Sequence, residues 1–357
     1  MSRVSVSKNR IQSFDVCKGI SIIAIIVGHS VSGPLRTVLF SFHIPIFFLI
    51  SGYFYKQSKE YATKHISSLV RSYFNVALIM ALLSFVKIFL FEDNATFLSA
   101  LKGFGRWIVA AIYGSGSRNN LFGIKIPIVG AIWFWLALSW ALGIVFLVNR
   151  QLEYSIKDDR RLTFISCLIY AALYVISIES ARYIWLPFSI QSGLMASFFL
   201  FLGSKLKYWH PRNKFVGIII CLFLWVVDCY YSFSFGDISV ASCTIPMLFI
   251  NTIGAVAGSQ VVFFLSQVID HRTIVLYLKR YLVFIGQNTM IVLTVHMMEY
   301  WFIPWQAIKN TYSISNWIIV IVKILLISIL TMVYIIIKAK VDFKGRNLSM
   351  FRKKVHK

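Results

Sequence analysis

Acidic residues are scarce in this chain. Its 357 residues include 13 Asp and Glu, and charged residues of both signs make up only 14%, against about a quarter in soluble domains. That scarcity excludes a soluble enzyme and a solvated, disordered chain. Proline is also sparse, at seven residues, and no period of 20–50 residues recurs, which excludes a solenoid. The five cysteines, Cys17, Cys167, Cys221, Cys229 and Cys243, form no CxxC pair. A disulfide framework or a zinc site is therefore not expected, and no other metal site is either. The cysteines lie in or beside apolar stretches and read as small buried hydrophobes. The basic N-terminus is followed by no small-residue cleavage pattern, so a removable signal peptide is not expected.

What remains is apolar. Hydrophobic residues make up 58% of the chain and the mean hydropathy is +0.75. The expected fold is an all-α, polytopic integral membrane protein. Apolar runs long enough to cross a bilayer fall at 14–32, 37–55, 69–91, 130–149, 162–179, 187–203, 215–231, 241–267, 281–302 and 316–338, about ten helices in a single domain. The core would run over 12–337, with a basic tail over 338–357.

The 36 Lys and Arg give a formal charge of +23. Such a balance can signal nucleic acid, but membrane proteins gather these residues in cytoplasmic loops. With a cytoplasmic N-terminus, the inner segments hold 25 of them and the outer segments seven. The expectation is therefore both termini in the cytoplasm, the lipid bilayer as partner, and no nucleic acid. The long outer segment 92–129 reads as an interfacial helix with Arg106 and Trp107 at headgroup level, or as a lid.

Titratable groups inside a bilayer are costly and usually functional. The first run, SFDVCKGISIIAIIVGHSVSG, holds three. Lys18 and His29 are eleven residues apart, so on a helix they share a face to within about 20° and lie about 16 Å apart along the axis. Asp15 is one turn before Lys18 and can pair with it. In the second run His43 precedes Ile44-Pro45. Proline removes a helical hydrogen bond and kinks the helix, which makes His43 either a pocket wall or a packing histidine. His296 and Glu299 are three residues apart on one face and could orient a base or bind sugar hydroxyls. Asp228 reads as interfacial, Lys87 and Lys323 as snorkelling, and Trp133 and Trp135 as aromatic-belt anchors. Ser51-Gly52 reads as a close helix contact.

Several of these stretches carry a resemblance. Asp15, Lys18-Gly19 and Gly28-His29, then Ser41-Phe42-His43-Ile44-Pro45-Ile46-Phe47-Phe48, then Ser51-Gly52-Tyr53 resemble the N-terminal signature of the membrane-bound acyltransferase-3 family, which includes bacterial polysaccharide and lipopolysaccharide O-acetyltransferases. Ala131-Ile132-Trp133-Phe134-Trp135-Leu136-Ala137-Leu138 resembles its fourth-span motif. Ile285-Gly286-Gln287-Asn288-Thr289 followed by His296 resembles its ninth-span motif. The resemblance runs from about residue 12 to 337.

It implies a membrane O-acyltransferase of the bacterial inner membrane. Acetyl-CoA would be the cytoplasmic donor, with no permanently bound cofactor, and a hydroxyl of a cell-surface or lipid-linked glycan the acceptor. The family's basic residue, ten positions and histidine fall on Lys18 and His29, which would be the catalytic pair. Asp15, His43, Arg71, His296 and Glu299 would contact substrate, and Lys18, Lys64 and Arg71 the coenzyme A. The family usually has arginine where Lys18 stands, and Lys keeps the charge without the bidentate fork. An RxxR pair and a proline before Tyr73 are absent; Arg71-Ser72-Tyr73 stands there instead.

The chemistry agrees on its own terms. Acyl transfer from a thioester to an alcohol needs a base, and histidine titrates near neutrality; a histidine can also take the acyl group itself. A polytopic transporter using the intramembrane His and Lys as a relay is the alternative reading. It calls for paired broken helices in inverted repeats, and the Asp15–His29 pattern has no second copy. The loop charges make a direct prediction. Single cysteines placed in 150–161, 204–214 and beyond Lys338 should be shielded from impermeant thiol reagents in intact cells. Labelling of 204–214 from outside would contradict the ten-span topology.

Overall fold

A computed structural model describes residues 11–92, 95–117, 119–121, 124–207 and 213–355. The basic residues of 1–10, Arg118 and part of the 204–214 loop, which contribute to the loop charges above, lie outside the described residues.

The chain is a bundle of helices. In order they are α1 (Gln12–Gly28), α2 (Pro34–Phe40), α3 (Pro45–Tyr53), α4 (Lys59–Phe91), α5 (Phe97–Tyr113), α6 (Trp133–Ser155), α7 (Asp159–Tyr183), α8 (Ile190–Leu206), α9 (Lys214–Phe235), α10 (Leu248–His271), α11 (Leu276–Gln287), α12 (Thr289–Phe302), α13 (Trp305–Tyr312) and α14 (Asn316–Val355). A short antiparallel hairpin, β1 (Asn119–Leu121) and β2 (Ile124–Ile126), follows α5, with Leu121 opposite Ile124.

Among the described residues, eight helical stretches are long and apolar enough to cross a membrane, and a ninth is formed if α11 and α12 count as one bent span. The chain is a multi-pass membrane protein. The first run of the sequence reading becomes α1, at 17 residues slightly short for a full crossing, yet it packs inside the bundle against α10 and α11. Large apolar side chains such as Leu82, Leu147, Phe223 and Leu325 face outward, as lipid contact requires. The buried interior is rich in aromatic, alanine and serine positions.

Backbones approach closely at glycines, as expected where helices have no hydrophobic drive to pair in lipid. A Cβ on Gly52 would stand 1.9 Å from the carbonyl oxygen of Leu200, and one on Gly203 2.1 Å from that of Leu49. These two glycines lock α3 onto α8, and Ser51-Gly52 is a packing element as the sequence suggested. A tighter crossing joins α1 to α11. There a Cβ on Gly286 would stand 1.7 Å from the Asp15 carbonyl oxygen, and one on Gly19 2.2 Å from that of Leu282.

One span is kinked and one is sharply bent. The second runs as a single stretch over Pro34–Tyr53, as expected, with a turn at 41–44 between α2, which stops at Phe40, and α3, which starts at Pro45 in a first-turn position where the missing N–H is harmless. Between α11 and α12 the axis turns by 82°. Asn288 leaves helical geometry there, and its side-chain amide donates to the Phe284 carbonyl, 2.8 Å away. The side chain thus satisfies a backbone group that the break sets free.

Several local expectations need correction. Trp133 and Trp135 are not belt residues: they are 6% and 1% exposed, in the principal core cluster. Asp228 is not interfacial. It is fully buried between α9 and α10, where Oδ1 accepts from the Asn251 amide at 2.8 Å and the Ser232 hydroxyl at 3.0 Å. Lys323 does not snorkel, being 3% exposed. Lys87 donates to the Trp301 carbonyl at 3.0 Å and lies over that indole. Cys17 and Cys243 are buried as expected, whereas Cys167 lies on the outer surface. The segment over 97–113 is a capped helix, with Thr96 and Ser99 forming reciprocal cap bonds, and it lies along α4.

The α1–α11 crossing makes a sharp prediction. Gly286→Ala should lower the detergent melting temperature and the folded yield, because backbone on both sides leaves the new methyl nowhere to go. Gly105→Ala is the control, since its Cβ would meet nothing within 4 Å; it should be neutral or stabilising by about 0.5–1 kcal/mol. An equal melting temperature for Gly286→Ala and the native protein would contradict the crossing.

Candidate active site

The kink and the bend open the bundle at the same place. α1 ends at Gly28, and His29 occupies its C-cap, with its backbone N–H still bonded to the Ile25 carbonyl at 3.0 Å. Gly28 has to be small: a Cβ there would stand 2.4 Å from the Phe40 ring. In the turn between α2 and α3, Ser41 accepts the Trp225 indole N–H at 2.7 Å. His43 is buried, its Nδ1 is 3.1 Å from the Phe40 carbonyl oxygen, and its ring stacks on Phe40 at 4.4 Å between centroids. The His29 ring meets Phe40 edge-on at 5.3 Å.

These elements enclose a cavity of about 550 Å³. Its inner walls are apolar and buried, including Ile22, Ile25, Phe134 and Leu293. From Ile22 to His29 it follows α1 for about 10 Å. Thr289 and Met290 line it from just beyond the 82° bend. Trp133 and Phe134 of the fourth-span motif line it as well, which is why that motif lies in the core. The exposed lining residues, His29, Arg36, Ile128 and Tyr300, mark the rim.

Polar groups collect at the rim end. His29, exposed to this space, stands 5.7 Å from His296, centroid to centroid, with the rings inclined by 32°. Nδ1 of His296 is 2.9 Å from Oε1 of Glu299. Residues 236–241, in the loop between α9 and α10, cover one side. Asp237 of that loop ties it to α2 through a 3.1 Å bond from Arg36, whose guanidinium also lies over Phe40, 4.2 Å from the ring centroid. Burial pushes the Asp237 carboxyl above its ordinary pKa, and the Arg36 guanidinium pulls it back.

The structure thus brings together His29, His43, His296 and, behind the wall, Glu299. It leaves the other sequence candidates elsewhere. Lys18 is half-buried and paired with Asp15, Nζ to Oδ1 at 2.8 Å, below the cavity on the same helix. Gln287 donates to Asp15 at 3.4 Å, so this pair sits at the α1–α11 crossing. Lys64 and Arg71 lie exposed on α4, away from the cavity. Sequence reasoning missed Arg36, Phe40 and Asp237, and gave Lys323 the wrong setting. Arg36 and Asp237 are 201 residues apart, and no spacing rule connects them.

A family model described as an acyltransferase domain matches residues 11–337, almost the whole helical bundle. The chain belongs to the acyltransferase-3 family. It is an acyltransferase, and the transporter alternative gives way. No curated protein and no solved structure matches the chain significantly. For an acyltransferase the arrangement is chemically apt. The cavity has apolar inner walls for an acyl group and a polar, open rim for a hydroxyl-bearing acceptor. The imidazoles at its rim are the residue type that takes a hydroxyl proton at neutral pH.

Proposed function

We propose that this acyltransferase moves an acetyl group from cytoplasmic acetyl-CoA to a hydroxyl of a cell-surface or lipid-linked glycan, in a bacterial inner membrane. The observation that carries the reading is the position of His29: an imidazole at the end of α1, at the mouth of a cavity of about 550 Å³ with apolar inner walls.

On this reading the acceptor hydroxyl enters at the rim, and the thioester approaches along the apolar walls. His29 takes the hydroxyl proton as the oxygen attacks the thioester carbonyl. The C–S bond breaks, and the thiolate leaves with the proton that His29 held. Lys18, paired with Asp15 toward the proposed cytoplasmic end of α1, is a cation that attracts the phosphates of coenzyme A, and exposed Lys64 and Arg71 on α4 add to that field. No permanently bound cofactor enters this scheme. The excess of Lys and Arg in the proposed inner loops supports the orientation, with the donor arriving from the N-terminal side.

The magnitudes separate a base from a packing residue. A polar contact between membrane helices is worth roughly 0.6 kcal/mol on average, whereas a general base contributes about 10²–10⁴-fold in rate. His29→Ala and His29→Gln should abolish glycan acetylation, measured as acetate released by alkali from the purified glycan, while abundance and detergent melting temperature hold. A well-folded His29→Ala protein retaining more than about a tenth of the native rate would contradict a base at this position. His43→Ala should hurt less, or through stability, because His43 is packed under Phe40.

A further inference from the structure

The second imidazole of the cavity is held in a way that packing does not require. His296 is 3% exposed and lines the cavity. Its Nδ1 contacts Oε1 of Glu299 at 2.9 Å. The other carboxylate oxygen, Oε2, accepts the indole N–H of Trp305. Lys323 of α14 places Nζ 3.9 Å from Oε1, and 5.6 Å and 5.3 Å from the ring centroids of Tyr300 and Trp305. Three helices, α12, α13 and α14, thus converge on one buried carboxylate. A histidine that merely joins helices needs one neutral partner. Burying a carboxylate and an ammonium to provide that partner is expensive, and such an arrangement is retained where it serves chemistry.

The contact with Glu299 sets what His296 can offer. Lys323 stands by the same carboxylate, 3.9 Å from Oε1, so a neutral imidazole is enough to complete its contacts. A neutral ring facing a carboxylate through Nδ1 donates its proton there, and Nε2 is left as an acceptor. This is the arrangement by which a carboxylate orients an imidazole that has to take up a proton. The neighbouring ring is His29, 5.7 Å away between centroids, a separation that a direct bond or one water spans.

We propose that His296 receives the proton that His29 takes from the acceptor, and that Glu299, in direct contact with Nδ1, positions His296 and stabilises the imidazolium formed there. This rests on His29 being the base. The acceptor O–H breaks and its proton goes to one nitrogen of His29. The N–H on the other nitrogen passes to Nε2 of His296. The acceptor oxygen bonds to the acyl carbon and the C–S bond breaks. The thiolate then draws a proton back by the reverse route, which returns both rings to their starting tautomers. Nothing is oxidised or reduced. The relay moves positive charge away from Arg36, whose guanidinium lies over the neighbouring Phe40 ring, and into direct contact with the Glu299 carboxylate.

The test is glycan-dependent release of thiol from acetyl-CoA by purified full-length protein in detergent, with chemically de-O-acetylated surface glycan as acceptor. Glu299→Gln and His296→Gln should each lower kcat by about tenfold or more and leave the KM of both substrates within about twofold. Glu299→Gln alone strands the Lys323 charge and can unfold the bundle. The double variant Glu299→Gln/Lys323→Met removes both charges together. A relay predicts that it regains the native melting temperature while kcat stays low; a structural role predicts that both recover. Recovery of kcat in the double variant, or native kcat in a folded His296→Gln, overturns the relay while the His29 reading stands. If the native protein releases no glycan-dependent thiol, or His29→Ala retains activity, the underlying reading fails and the relay with it.

Discussion

Where α1 crosses α11, the Cα of Gly286 stands against the carbonyl oxygen of Asp15, and Gly19 stands against that of Leu282, with no space for a side chain on either glycine. The rest of the site depends on this contact. It sets the height of α1 against the α11–α12 pair, and so fixes how far the His29 ring lies from the His296 ring. It also puts Asp15 beside Gln287 at the last turn before the 82° bend. A side chain at either glycine would push the helices apart by an ångström or more. Proton transfer between two imidazoles tolerates little such displacement.

The cavity exists because three membrane segments stop short of being regular helices. α1 ends at Gly28 under the Phe40 ring, the second span kinks before Pro45, and the ninth bends at Asn288. Each break frees backbone groups that lipid cannot satisfy, and each is repaired by a nearby polar group. The Ser30 hydroxyl donates to the Ile26 carbonyl at the end of α1, Nδ1 of His43 lies against the Phe40 carbonyl, and the Asn288 amide donates to the Phe284 carbonyl. The same residues that make the breaks tolerable therefore line or border the space they open. That economy explains why the recognisable motifs of the chain fall at helix ends and bends.

Most of the architecture was legible in the amino-acid order, because lipid imposes length and apolarity on every span. Contacts within one helix turn were legible too. Asp15 with Lys18 and His296 with Glu299 are both i,i+3 pairs, and both form. What spacing could not reveal were partners far apart in the chain: Lys323 beside Glu299, Arg36 with Asp237, and Trp225 on Ser41. Trp133 and Trp135 misled for a related reason. A tryptophan near a helix end reads as a membrane-interface anchor, and only the packing of neighbouring helices tells which ends are covered. Lys18 and His29 lie on one helix, and the cavity begins above Lys18: His29 lines it and Lys18 does not.

The central claim is that acyl transfer takes place in the cavity between His29 and His296. The most direct test is an electron cryo-microscopy structure of the protein with a non-transferable thioether analogue of acetyl-CoA. The account predicts the analogue's sulfur and acetyl-mimicking group inside the cavity beside the His29 ring, with the nucleotide end on the Lys18 side of the bundle. An analogue bound with its sulfur outside the bundle and the cavity empty would contradict it.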